Sequence, residues 1–84
     1  METIIAHLTD AVNADTRFKQ LIAIKAAKTA HDAIRFNSDV RSTIDTAWDC
    51  TQTQATFECT KHHAQNALDM ANLCWNLYKE GNLN

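Results

Sequence analysis

The chain contains no proline, and its single glycine, Gly81, lies three residues from the end of 84. Proline breaks helix interiors and glycine weakens them, so the usual punctuation is missing along some eighty residues. Tight hairpin turns need residues that accept positive φ, chiefly glycine, so a β-rich fold is short of turn material. The chain also lacks any apolar run near the length that spans a bilayer. It has no CxxC pair, no HExxH motif and no glycine-rich phosphate loop. Its start, Met1-Glu2-Thr3-Ile4-Ile5-Ala6-His7, has no basic segment followed by an apolar one, as a secretory signal would. Three cysteines are an odd number. Together these features point to a reduced, cytoplasmic protein with free thiols and no membrane association.

What is present is enough for one folded helical domain. The hydrophobic share is 45% and the net charge is −2. That charge argues against a dedicated nucleic-acid binder. A chain this short buries only roughly 60–65% of its unfolded surface, so association with a partner or a second copy would add stability.

Helical periodicity divides the chain into four elements, over about residues 2–13, 16–36, 39–51 and 54–80. Ile4, Ile5, Leu8, Ala11 and Val12 line the first, which Asn13 ends; Asp15 is the expected N-cap of the second. In the second, Phe18, Ile22, Ala26, Ala30, Ala33 and Phe36 share one side, and the alanines at 23, 26, 27, 30 and 33 leave room for a neighbouring helix to approach closely. Asn37-Ser38-Asp39 is the clearest break, with Ser38 as the expected cap. The third helix carries Val40, Ile44, Ala47, Trp48 and Thr51 on one face, and Arg41, Ser42, Asp45 and Asp49 on the other. A turn near Thr53, also a possible cap, precedes the fourth helix, which stops with Gly81 in the C′ position. The expected architecture is an all-α, antiparallel four-helix bundle made of two αα-hairpins, short-long and short-long.

The fourth helix has an unusually wide apolar arc. Phe57, Ala64, Leu68, Ala71, Trp75 and Tyr78 form one stripe, interrupted by Lys61. Cys59, His63, Ala67, Met70, Cys74 and Leu77 form a second beside it. The arc covers about half the circumference, more than one core-facing side usually needs. The candidate interface residues are therefore Cys59, His63, Met70, Cys74, Leu77 and Tyr78. Trp48, Trp75 and Tyr78 are of the type that fills cores and dominates interfaces alike.

The one grouping with ligand-like spacing is Cys59-Thr60-Lys61-His62-His63. Cys59 and His63 are one helical turn apart, and Cys59 and His62 also converge. Zinc takes three or four ligands, so His7, His31 or Cys50 would have to complete such a set. On its own the pair predicts no tightly held metal or cofactor. His63 is then expected as a core-edge histidine and His62 as a solvated one. A Cys–His nucleophile pair would need a pocket and oxyanion donors that a small bundle rarely offers, so no enzyme activity is expected. On the second helix Lys25, Lys28 and Arg35 form a small basic face, enough for a phosphate or an acidic surface but poor for nucleic acid.

In size and alanine-rich, glycine-poor style the chain is similar to small bacterial and phage inhibitors such as immunity or anti-defence proteins. The sequence thus leads to a non-enzymatic helical protein that binds another protein, as an inhibitor or adaptor, and forms a homodimer. The alternatives are a metal- or small-ligand-binding bundle centred on Cys59 and His63, with His62 as a further ligand, and a phosphate or nucleic-acid binder using helix two.

Overall fold

The computed structural model describes residues 1–81, and these form four helices: α1 (Glu2–Asn13), α2 (Arg17–Ile34), α3 (Ser38–Gln52) and α4 (Phe57–Lys79). No strand occurs among the described residues. The connections are three or four residues long, which makes chain neighbours antiparallel. Cross-chain bonds agree. The Arg17 guanidinium, at the start of α2, donates to the Cys50 carbonyl near the end of α3, at 3.0 Å. Each helix packs on its two neighbours around a ring, with α1 closing onto α4 and only slight α2–α4 contact across the middle. The result is the four-helix bundle expected from the periodicity.

The caps explain where the elements begin. Thr16 Oγ1 accepts from the Lys19 amide at 3.1 Å, so Thr16 caps α2 rather than Asp15. Asp15 instead pairs with the Lys19 ammonium at 2.9 Å. Asn37 caps α3, its Oδ1 accepting from Asp39 and Val40 amides at 2.8 and 3.1 Å, and Ser38 becomes the first helical residue. Thr56 caps α4 through the Cys59 amide at 3.1 Å. Thr53, the other hydroxyl in that loop, ends α3 and accepts from the Ala55 amide at 3.3 Å. In each case neighbouring residues are all competent caps, and the one whose oxygen reaches the N2 or N3 amide from extended backbone takes the role. At the end of α4, Gly81 has φ 81° and its amide donates to the Tyr78 carbonyl at 3.0 Å, as a C′ glycine should.

α2 stops two residues earlier than the apolar pattern predicts. Arg35 turns into the left-handed region at φ 48° and ψ 51°. Just beyond the cap the buried His31 reaches Asn37: its Nε2 accepts from the Asn37 N–H at 3.1 Å in one tautomer and donates to the Asn37 C=O at 2.9 Å in the other. That imidazole holds the α2–α3 turn closed.

The core is thin and built from small residues. One cluster joins Ile4, Leu8, Ala27, Val40, Ile44, Ala67, Ala71 and Cys74; a second joins Ala11, Ala23, Ile24, Ala47 and Ala64. Every helix contributes buried alanine, from Ala11 on α1 to Ala71 on α4, and such small side chains let backbones approach closely. All six aromatic residues accordingly sit in the half-buried or exposed shell, Trp48, Trp75 and Tyr78 included. Phe36, Trp75 and Tyr78 form a surface-edge aromatic group with centroids 5.5 to 6.2 Å apart.

The faces of α1 and α3 are as the pattern predicts. α2 is not. Its buried seam is Gln20, Ala23, Ile24, Ala27 and His31. The Phe18-to-Phe36 side is split: Phe18 is 72% and Ile22 50% exposed and Ala33 is on the surface, whereas Ala26, Ala30 and Phe36 are half-buried, the last two against the core. In α4 the seam runs between the two apolar stripes, through Thr60, Ala64, Ala67, Ala71 and Cys74. Both stripes flank it, so α1 and α3 cover the middle of the wide arc, while Cys59 and Tyr78 at its ends stay exposed.

Candidate functional site

Exposed large apolar residues lie on α2, as Phe18, Ile22 and Ile34, and on α4, as Leu73 and Tyr78; of these, only the α2 pair Phe18 and Ile22 sits beside a groove. Phe18 and Ile22 are one helical turn apart and point the same way. Thr29 and Ala33 continue that strip as exposed small residues towards the end of the helix. Beside the bulky end runs an open groove of about 620 Å³ between α1 and α2, lined among others by His7, Asp10, Lys19, Ile22 and Ala26. The carboxyl of Asp15 at its end is held below the usual range, first by the hydrogen bond from Lys19 and then by that ammonium's charge. The groove thus carries both charge signs around an apolar centre.

The basic residues of α2 are divided. Lys25 and Lys28 lie over the Trp48 ring, with Nζ 5.4 and 5.8 Å from its centroid. They hold α2 to α3 as cation–π contacts instead of standing as a free patch. Arg35 sits apart on the helix cap. Nearby, Arg41 bridges Asp32 of α2 and Asp45 of α3, with 2.8 Å to Asp32.

The candidate interface residues of α4 are dispersed by burial. Cys74 is in the core, its Sγ 3.8 Å from Met70 Sδ, and is not available to a partner. Burial, and then the charge of Asp39, pushes its thiol above the ordinary value. Met70 is half-buried and packs on the same cluster, and Leu77 is half-buried too. Cys59 and Tyr78 are exposed.

A second arrangement of chemical interest sits where α3 meets α4. Cys50, near the end of α3, approaches Cys59 and His63 in the first two turns of α4. One ligand atom from each lies within 4.8 Å of the others. Cys59 is exposed, and Cys50 and His63 are half-buried. His62 is not part of this group; its ring meets that of His63 edge-on at 5.6 Å between centroids. Burial is the main cause raising the Cys50 thiol above its ordinary value, followed by the neighbouring Cys59. Asp49 and Arg17 act on it with opposite signs.

Three structural residues were not visible in the hydrophobic pattern: Gln20, His31 and Thr60, all buried and polar. Gln20 Nε2 donates to the Phe57 carbonyl at 3.0 Å, and Thr60 Oγ1 to the Thr56 carbonyl at 3.1 Å. Their signal is positional. Gln20, Ala23, Ala27 and His31 keep steps of three and four, a helical seam written in small and polar residues. No helix among the described residues is long and apolar enough to cross a membrane. Comparison with protein-family models, curated proteins and solved structures finds no match.

Proposed function

We propose that this chain is a non-catalytic helical module that works by binding a protein through the outer face of α2. The observation that carries the reading is the exposed Phe18–Ile22 pair beside the α1–α2 groove. Large apolar residues clustered next to a concave surface are the usual anchors of an interface, and neither Phe18 nor Ile22 belongs to the core clusters. A typical interface takes about 800 Å² from each partner, roughly a sixth of this chain's 4939 Å² surface.

The first partner to consider is a second copy. The strip is bulky at its N-terminal half, Phe18 and Ile22, and small at its C-terminal half, Thr29 and Ala33. Two such strips laid antiparallel place Phe18 of one copy over Ala33 of the other. Asp15, Lys19, Lys25 and Asp32 flank the strip with mixed charge, so like faces do not repel. An inhibitor or adaptor role follows if a different protein takes the place of the second copy. The test is sedimentation equilibrium of the wild type and Phe18→Glu, with affinity capture from the native cell alongside. Association or capture lost in the variant supports the reading. A wild type that neither associates nor retains any protein in a Phe18-dependent way refutes it.

A further inference from the structure

From the juxtaposition of Cys50, Cys59 and His63 we infer that the α3–α4 joint is a binding site for a thiophilic divalent cation, zinc by preference. The helical turn from Cys59 to His63 supplies two donors on one face of α4. The hairpin supplies the third, because the short loop after Gln52 returns the chain so that the end of α3 lies beside the start of α4. The three ligand atoms already lie within 4.8 Å of one another. Tetrahedral zinc with bonds of about 2.3 Å to sulfur and about 2.0 Å to nitrogen asks for separations of about 3.5–3.8 Å. The set therefore needs to close by no more than about 1 Å, a movement within the reach of side-chain rotation at the exposed Cys59.

The donor set selects the ion. Two thiolates and an imidazole suit zinc and disfavour magnesium or calcium, which take oxygen ligands. No carboxylate belongs to the group. With three protein ligands, the fourth position falls to water on the open side, where Cys59 is exposed. On binding, both thiols release their protons to solvent and two sulfur–metal bonds form; no electrons are transferred. The ion then ties the end of α3 to the start of α4 across the 53–56 loop. A ligand that binds the folded chain alone stabilises it by an amount that grows with the logarithm of its concentration above Kd, so the metal acts as a fold-locking element.

The experiment uses the full chain, fully reduced and freed of metal, titrated with Co²⁺ and then Zn²⁺. We expect one equivalent of cobalt with tetrahedral absorption and a thiolate charge-transfer band, displaced by zinc, and a thermal midpoint that climbs with added zinc. Losing one direct ligand should weaken binding at least as much as losing a supporting partner does, about 10- to 100-fold. That loss is expected in Cys50→Ser, Cys59→Ser and His63→Ala. Cys59 is exposed, so its variant keeps the fold, which far-ultraviolet circular dichroism verifies. His62→Ala and Phe18→Glu should bind cobalt like the wild type; the latter keeps this site separate from the α2 face. Three results would overturn the assignment: no uptake by the folded, reduced wild type, uptake unchanged in Cys59→Ser, or equal damage from His62→Ala and His63→Ala.

Discussion

Replacing Gln20 with methionine should stabilise the bundle, although it deletes a hydrogen bond. Gln20 is fully buried on the α2 seam. Its Nε2 donates to the Phe57 carbonyl at 3.0 Å, but its Oε1 has no partner. A neutral hydrogen bond contributes about 0.5–1.5 kcal/mol net, whereas a buried acceptor left unsatisfied costs about 1–3 kcal/mol. Methionine has nearly the same shape and removes both terms. The Phe57 carbonyl is not orphaned, because it keeps the i→i+4 bond from the Lys61 amide inside α4. The expected balance is a gain of about 0.5–1.5 kcal/mol, a rise of several degrees in a domain of this size. Gln20→Ala, by contrast, leaves a cavity and should lose about 2 kcal/mol. Urea unfolding reads both, with an unchanged slope as the check that the same surface is exposed. A methionine variant less stable than wild type by more than about 1 kcal/mol would refute the reasoning, since Oε1 must then have a partner worth keeping.

Arg35→Gly should stabilise by up to about 1 kcal/mol, because glycine accepts the left-handed cap conformation that arginine adopts with strain; thermal melts check it. Lys28→Glu should cost about 0.5–1 kcal/mol in urea unfolding, through the lost contact with Trp48. It should not change retardation of mixed-sequence DNA or RNA in a gel, whereas sub-micromolar binding abolished by that change would promote the phosphate-binding reading. The raised Cys74 thiol predicts alkaline sensitivity. Its folded pKa exceeds the unfolded one, so its contribution is intact below the ordinary thiol range and is lost as pH rises through the folded value. Stability measured from neutral to alkaline pH should therefore fall, and Cys74→Ala should flatten that slope.

The parts of this fold legible in the sequence were those where one physical signal dominates. α1 and α3 each have a single apolar face, and Ile4, Leu8, Val40 and Ile44 are buried where the spacing puts them. α2 has apolar residues on most of its circumference. Periodicity then offers two faces, and tertiary packing chose the one carrying Gln20 and His31, since its alanines admit neighbouring backbones closely. The larger Phe18 and Ile22 were left outside. For α4, an arc wider than one core-facing side needs is largely covered by α1 and α3, because the seam falls between its stripes; Cys59 and Tyr78 stay exposed. The Cys59–His63 pair was visible as a helical turn. The addition of Cys50 was not fixed by any spacing, because it depends on how tightly the α3–α4 hairpin closes.

The central claim, that α2 presents a protein-binding face, is tested most directly by sedimentation equilibrium across a wide concentration range. Wild type should pass from 9.5 kDa towards twice that mass. Phe18→Glu should remain folded and weaken association by about 30-fold or more, the equivalent of about 2 kcal/mol for one buried anchor. Because Phe18 is 72% exposed, the isolated bundle should lose no more than about 0.5 kcal/mol of stability. Association that persists unchanged in Phe18→Glu would contradict the account, because the contact surface would then lie elsewhere on the bundle.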